Sequence, residues 1–326
     1  MWRNALATNG EIMRSFFLFV LVTSLVPSLQ SQEIAAITAE TFVETIQVHE
    51  FLSKVIEQRS KPVSYEMEFR IRRNVLEKSN AKDSPLYGSL AETTGVIRVD
   101  ELAGVSFVES TSKLLQVVSS DAKAEPSMKE RYDRMIAPGM RLILPDREFV
   151  CDPMIGKIIE RKNAREDYQE APLFDFRNFG WAIENDFSEG RTIDEVLKLL
   201  KKNLRKELYF SVDKNGIATL DLGDEETRVD TSRGYWPIER KTWSSMIKEN
   251  RYVKESVKIG LEKFEGEWLP KRVDWIVEGK KSQESEGYDF KWISYDKTID
   301  PDKMDVIYMY HRLLEYREEK ESKAKK

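Results

Sequence analysis

The sequence has few residues of the kinds that bind metals or form disulfides. Among 326 residues there are one cysteine, Cys151, and two histidines, His49 and His311. Exported domains that depend on disulfides carry an even set of cysteines, so this fold must depend on a hydrophobic core. His49-Glu50 begins as a zinc-protease motif does, but Ser53 stands where the second histidine is needed. We therefore predict no metal and no cofactor.

The sequence also lacks a long apolar run and an excess of positive charge. Its 52 lysines and arginines against 57 aspartates and glutamates give a net charge of −5, whereas nucleic-acid binding needs a concentrated basic face. The apolar run at 16–26 is about half of the roughly 20 residues that a membrane-spanning helix needs. Arg14 precedes this run, and small or polar residues follow it.

This layout is typical of a cleaved secretory signal peptide, beginning at Met1 or Met13. We expect a periplasmic or secreted protein with no nucleic-acid partner and no permanent membrane anchor. Cys151 lies too far from the signal to be a lipidated cysteine.

Alternation of apolar and polar residues is the clearest pattern in the chain. In VSYEMEFRIR, residues 63–72, every second residue is apolar, which predicts a strand with one face buried and the other in water. Asn215-Gly216 predicts a tight hairpin, and a second hairpin is expected around Asp152-Pro153. We expect a loop over residues 78–94 and separate strands at 105–108 and 114–118.

Three helices are predicted around the strands: a leading helix at 33–59, an inserted helix at 192–203 and a final helix at 302–316. The strands form neighbouring runs and do not alternate with helices, so the fold class is α+β with a mainly antiparallel sheet. The expected organisation is a signal peptide at 1–31, a single domain at 32–316 and a charged flexible tail at 317–326.

Three strings carry a family resemblance: FDFRNFG (174–180), RVDTSRGYWPIER (228–240) and FEGEWLPKRVDW (264–275). With the signal peptide and the leading helix, they resemble the LolA/LolB-like outer-membrane lipoprotein carriers, in particular divergent secreted members of the planctomycete type. The resemblance implies an unclosed half β-barrel whose concave face is covered by helices. It also implies a non-catalytic carrier whose partners are lipid or lipoprotein acyl chains.

Aromatic residues are concentrated in PLFDFRNFGWA, residues 172–182. Arg177 lies among them as either a contact for an anionic head group or a stacked structural arginine. An apolar concave face gains about 0.8 kcal/mol for each methylene group that it buries. The candidate residues for the ligand cavity or its lid are Phe174, Phe176, Arg177, Phe179, Trp181, Met67, Phe69 and Trp275.

Two other functions are compatible with the sequence. A structural or interaction protein with a filled core would show the same alternation, because a filled core and an open one bury the same face. A hydrolase would need a pair of carboxylates, for which Asp175, Glu184 and Asp186 are near the aromatic segment. No nucleophile-elbow or phosphate-loop motif occurs, and we predict that the protein is not an enzyme.

Overall fold

The computed structural model describes residues 47–59, 61–77, 87–119, 135, 137–162, 176–181, 209–243, 252–278 and 282–324. The predicted signal peptide at 1–31 and the inserted helix at 192–203 lie outside these ranges, as does the first part of the leading helix. The chain divides into two compact units, Met1–His49 and Glu50–Lys326. The sheet and the residues around it belong to the second unit. The predicted division into signal peptide, single domain and tail stays a prediction.

The described residues form thirteen strands and two α-helices. Helix α1 spans residues 47–59, and helix α2 spans Val306–Ala324. The strands are β1 (Ser64–Glu77), β2 (Tyr87–Asp100), β3 (Val105–Ser119), β4 (Gly139–Ile143), β5 (Arg147–Asp152), β6 (Lys157–Lys162), β7 (Tyr209–Val212), β8 (Ile217–Asp221), β9 (Glu225–Asp230), β10 (Trp236–Trp243), β11 (Val253–Phe264), β12 (Glu267–Glu278) and β13 (Ser282–Tyr295).

All thirteen strands belong to one antiparallel sheet in the order β6-β5-β4-β3-β2-β1-β13-β12-β11-β10-β9-β8-β7. Neighbours in this order are also neighbours along the chain, except that β1 pairs with β13. The end strands β6 and β7 do not pair with each other, so the sheet is unclosed within the described residues. The fold class predicted from the sequence is confirmed.

The sheet is strongly curved. Strands β1 and β10 stand four positions apart, which in a flat sheet would separate them by about 19 Å. Yet the ring of Phe176 lies 4.9 Å from that of Tyr65 on β1 and 5.8 Å from that of Trp236 on β10. One side chain contacts both strands because the sheet bends around it, and the face that holds these rings is the inner face.

Helix α2 packs on the outer face, which the sequence had predicted to be in water. Along β2, Ile97 and Val99 belong to the inner core, while Arg98 between them points outward and lies over the ring of Tyr308 on α2, 5.1 Å from its centroid. Helix α2 contributes Met309 and Leu313 to an outer apolar cluster. The sheet contributes Phe107, Met140, Leu142 and Cys151 to the same cluster. The final helix therefore lies on the face opposite to the concave one, and the sequence had not predicted its position.

Helix α2 also extends further than the predicted end at residue 316. It runs to Ala324, so most of the segment predicted as a flexible charged tail is helical. Arg317 donates a hydrogen bond to the carbonyl of Gly156 at 2.8 Å, and Lys320 donates one to the carbonyl of Met135 at 2.7 Å. These bonds hold the last turns against distant backbone, which no local sequence pattern reveals.

The strand predictions were correct at the turns and too short in the first half. Hairpins at Asn215-Gly216 and Asp152-Pro153 join β7 to β8 and β5 to β6. Strand β2 begins at Tyr87, inside the loop predicted over 78–94, and β3 is one continuous strand where two were predicted. The polar residues at 109–113 remain in β3 because their backbone pairs with β2, and the hydroxyls of Thr93 and Ser112 form a 2.8 Å hydrogen bond across this pairing.

Gly95 permits a close approach between β1, β2 and β3. It pairs with Phe69 on β1, and a Cβ atom at Gly95 would lie 2.7 Å from the Phe69 ring and overlap the carbonyl oxygen of Glu109. Because one of these atoms is backbone, we expect Gly95→Ala to lower the free energy of unfolding by about 1–3 kcal/mol, measured by urea denaturation. Gly260→Ala in β11 is the control, since its Cβ would meet nothing closer than 3.8 Å. Equal stability of the two variants would contradict the prediction.

Candidate functional site

The candidate site is the inner face of the sheet. Successive strands place apolar side chains there because the residues alternate, and Tyr65, Met67 and Phe69 on β1 are at most 8% exposed. Phe290 and Trp292 on β13 stand directly opposite Phe69 and Met67. The other buried members of this cluster are Val63, Ile97, Val99, Phe176, Phe179, Trp236, Val257, Ile259, Leu269 and Val273.

A short aromatic segment covers this inner face. Residues 176–181, which we call the aromatic cover, contain a single turn of 3-10 helix at Phe176–Asn178. The Phe176 ring is fully buried and meets the rings of Tyr65 and Trp292 edge-on, each at 4.9 Å. The Phe179 ring lies 5.4 Å from that of Tyr288 and 5.7 Å from that of Phe290. The cover thus fills the concave side with rings drawn from one short loop.

Two features fix the aromatic cover in place. Arg177, only 5% exposed, donates to the carbonyl of Lys61 at 2.9 Å, to that of Arg59 at 3.3 Å and to the carboxylate of Glu101. Gly180 adopts a left-handed backbone with φ of +79°, and a Cβ there would lie 2.5 Å from the Pro237 side chain. Glycine is needed at that position both for its backbone and for the close approach to β10.

The structure brings most of the predicted site residues to the inner face or the cover. Met67, Phe69, Phe176 and Phe179 belong to one buried cluster, and Trp275 packs against it as a half-buried side chain. Trp181 is 2% exposed, and Phe174 lies outside the described residues. Arg177 was predicted either to contact an anionic head group or to be a structural arginine. The three hydrogen bonds described above are all with protein groups, which favours the structural role.

A polar end of the inner face was missed by sequence reasoning. Beyond Trp275 and Tyr288, the same face presents partly buried carboxylates that accept hydrogen bonds from these rings: Trp275 Nε1 donates to Glu255 at 2.6 Å, and the Tyr288 hydroxyl donates to Glu286. Burial, and then the charge of Glu286, raises the pKa of Tyr288. Glu255 on β11 and Glu286 on β13 occupy inward positions of their strands. The sequence pattern did not reveal them, because inward positions were recognised by their apolar residues and these two residues are polar.

Neither a reactive cysteine nor a metal-binding cluster occurs among the described residues. Cys151 is 1% exposed, and burial followed by the charge of Asp152 raises the pKa of its thiol, which disfavours a reactive thiolate. Within the described ranges no three histidine, cysteine, aspartate or glutamate side chains are placed to hold a metal ion. The carboxylates proposed for a hydrolase, Asp175, Glu184 and Asp186, lie outside those ranges. No described helix is long and apolar enough to cross a membrane.

Comparison with known proteins gives structural similarity without sequence similarity. No family model and no curated protein matches the sequence. The chain is similar to a DUF1329 family protein from Desulfovibrio piger, with 8% identity, a TM-score of 0.37, and coverage of 81% of this chain and 98% of the other. It is also similar to a domain described as an outer membrane lipoprotein-sorting protein from Vibrio parahaemolyticus, with 8% identity, a TM-score of 0.34 and coverage of 80% and 97%.

A third solved structure, of lipid–protein interactions in lipovitellin, has 9% identity and a TM-score of 0.27, and the match spans 74% of this chain but 26% of lipovitellin. At these TM-scores the similarities carry no argument about activity. The features of this chain that bear on its function are the curved sheet, its inner face and the aromatic cover.

Proposed function

We propose that this protein is an exported, non-catalytic carrier or binding protein for lipids or lipidated proteins, and a divergent, planctomycete-type relative of the LolA/LolB-like carriers. One observation supports this function above the others. The inner face is a continuous apolar and aromatic surface, and in the described part of the chain the six-residue aromatic cover lies at its centre. Displacing so short a segment would expose a surface suited to acyl chains.

The net free energy of exchanging the rings of Phe176 and Phe179 for an acyl chain is close to zero. Burying a phenylalanine side chain contributes about 1.5–3 kcal/mol, so removing Phe176 and Phe179 from the inner face costs about 3–6 kcal/mol. An acyl chain that buries eight methylene groups gains about 6 kcal/mol at roughly 0.8 kcal/mol for each group. An acyl chain can therefore replace these two rings without a large net cost, and the rings can return when the lipid leaves.

A structural or interaction protein is the second candidate. Phe176 is 0% exposed and Phe179 is 1% exposed, so the cover already fills the space that an acyl chain would take. In this alternative the rings stay in place permanently, and the inner face is an ordinary hydrophobic core.

Native mass spectrometry of gently purified protein distinguishes the two candidates. The carrier should retain acyl species of defined mass and exchange them for added oleate, whereas the filled scaffold should show the mass of the chain alone. Absence of both co-purifying lipid and oleate uptake would overturn the proposed function. A panel of ester and glycoside substrates tests the hydrolase alternative, for which we expect no turnover.

A pair of neighbouring variants tests whether the inner face binds the acyl chain. Trp275 is half-buried at the edge of the inner cluster, while Ile276 on the same strand points outward and is 38% exposed. We expect Trp275→Ala to weaken oleate binding about tenfold or more, because a large apolar contact is lost. Ile276→Ala should leave the dissociation constant unchanged. Equal effects of the two changes in a fluorescent fatty-acid displacement titration would contradict an inner-face site.

A further inference from the structure

A buried arginine at the end of α1 has an unusual environment. Arg59 is 8% exposed, and its guanidinium group lies 3.5 Å from the centroid of the Trp236 ring. One of its terminal nitrogens donates a hydrogen bond to the carbonyl of Gly234. Its Nε is buried and has no hydrogen-bond partner. The group is thus held firmly while part of its hydrogen-bonding capacity is unused.

No carboxylate among the described residues is bonded to the guanidinium of Arg59. Within the described residues Arg59 takes part in no ion pair. Burial is the largest influence on its pKa, ahead of Tyr295 and the exposed Glu267, which raise the pKa, and of Arg177, which lowers it. Arg177 is itself buried and has Glu101 as its partner. Burial lowers the pKa of Arg59 to about 9, so the guanidinium remains charged at neutral pH. A buried charge without a counter-ion is unfavourable.

A second, half-exposed arginine lies in the turn that Arg59 contacts. Arg233 stacks over the Trp268 ring at 4.8 Å, with its side chain 46% exposed and its Nε 3.3 Å from Asp230. Gly234, between this turn and Arg59, has φ of +73°, and a Cβ there would lie 3.4 Å from the Arg59 guanidinium. A side chain at Gly234 would therefore contact the Arg59 guanidinium.

These cations adjoin the inner face. Trp236, under Arg59, belongs to the inner cluster, and Trp268 and Tyr295 pack against its edge. The indole nitrogen of Trp236 donates to the carbonyl of Trp268, which holds the two rings under the two arginines together. An amphiphile with its chain on the inner face would bring its polar end to this border.

We propose that Arg59 and Arg233 form the binding site for an anionic head group, a carboxylate or a phosphate, of the lipid that the inner face receives. The inference rests on the proposed function. An anion would supply the counter-charge that Arg59 lacks, and charge-assisted hydrogen bonds from guanidinium groups to carboxylate or phosphate are among the strongest available to it. Arg233 provides the exposed contact, and Arg59 the buried one.

The test compares two lipids that differ in head group alone, oleate and oleyl alcohol, with inorganic phosphate as a free anion. The unaltered protein should bind oleate at least tenfold more tightly than oleyl alcohol. Arg59→Met should remove this preference and leave the affinity for oleyl alcohol unchanged. Arg272→Met is the matched control, because Arg272 is exposed on the outer face and paired with Asp274 and Asp289. It should retain the full preference.

The melting temperature separates a binding role from a structural one. Because Arg59→Met removes an uncompensated charge, we expect the unliganded variant to melt within about 2 °C of the unaltered protein. If it does not fold, Arg233→Met replaces it and should weaken oleate binding about threefold to tenfold. An unchanged preference for oleate in the folded variant, or equal weakening of oleate and oleyl alcohol, would overturn the head-group site.

Failure of the proposed function gives a different pattern. If the unaltered protein binds neither lipid, the carrier role is lost, and phosphate decides the fate of the anion site. A melting temperature raised by 10 mM phosphate in the unaltered protein but not in Arg59→Met would retain an anion site for a free ion. No such shift would overturn the site as well.

Discussion

Replacing Phe176 with alanine is expected to lower the free energy of unfolding by about 3–5 kcal/mol. The ring is fully buried, and its edge-on contacts with Tyr65 and Trp292 join the cover to two neighbouring strands. Truncation leaves a cavity among rigid rings that cannot collapse into it, so both burial and packing are lost. Urea denaturation followed by tryptophan fluorescence measures the change directly.

The matched control for this change is Tyr209→Ala. Tyr209 is also aromatic, but it lies on the end strand β7 and is 56% exposed, so we expect a loss of less than about 1 kcal/mol. A loss of under 1 kcal/mol at Phe176 would mean that the cover is not part of the cooperative structure. In the carrier, saturating oleate should reduce the difference between Phe176→Ala and the unaltered protein, because the acyl chain occupies the same space.

The second large effect is expected on the outer face, at Glu66. The Glu66 carboxylate accepts a hydrogen bond from Nε of Arg98 at 2.8 Å, and the two side chains are 12% and 7% exposed. Among the described residues, Nη1 of Arg98 is buried without a hydrogen-bond partner and Glu66 is the carboxylate paired with Arg98. Removing one member of a buried pair leaves an uncompensated charge, and Glu66→Ala should cost about 3–5 kcal/mol.

Two further variants make this prediction specific. Glu68 follows on the same face of β1 and also forms an ion pair, with Lys291 at 3.0 Å, but its side chain is 47% exposed. Glu68→Ala should therefore cost less than about 1 kcal/mol. The double variant Glu66→Leu with Arg98→Met should recover most of the lost stability, because no buried charge remains. Similar losses for Glu66→Ala and Glu68→Ala in thermal unfolding would show that burial of the pair has no energetic consequence.

Local patterns in the sequence were sufficient for the strands and turns of the sheet but not for its partners. Alternation at residues 63–72 predicted which side chains of β1 face inward, since that periodicity belongs to the strand itself. Asn215-Gly216 predicted its hairpin because the turn needs residues that adopt a left-handed backbone. The pairing of β1 with β13 joins residues such as Tyr65 and Tyr295, and no local pattern specifies which strand lies beside which.

The outer face was predicted incorrectly for a related reason. Glu66 was expected to face water, yet its carboxylate is paired with Arg98, whose guanidinium lies near the rings of Phe107 on β3 and Tyr308 on helix α2. The charges of Glu66 and Arg98 neutralise each other only once β1 and β2 are paired, and the sequence of either strand alone does not show this. The candidate site had the same limit: the aromatic residues were recognised in 172–182, but Arg59 and Arg233 were not, because their shared environment exists only after folding.

The strand order has a consequence for how the chain reaches its native state. Strands β1 to β6 and β7 to β13 each follow one another as neighbours, and only the β1–β13 pairing joins the two series. During synthesis β1 is complete long before β13, so until then the amide and carbonyl groups along one backbone edge of β1 stay unpaired. An incomplete chain thus exposes a long unpaired strand edge that can aggregate, with the side chains of Tyr65, Met67 and Phe69 uncovered beside it. Its folding yield should therefore depend on holdase chaperones that shield β1 until the last strand arrives.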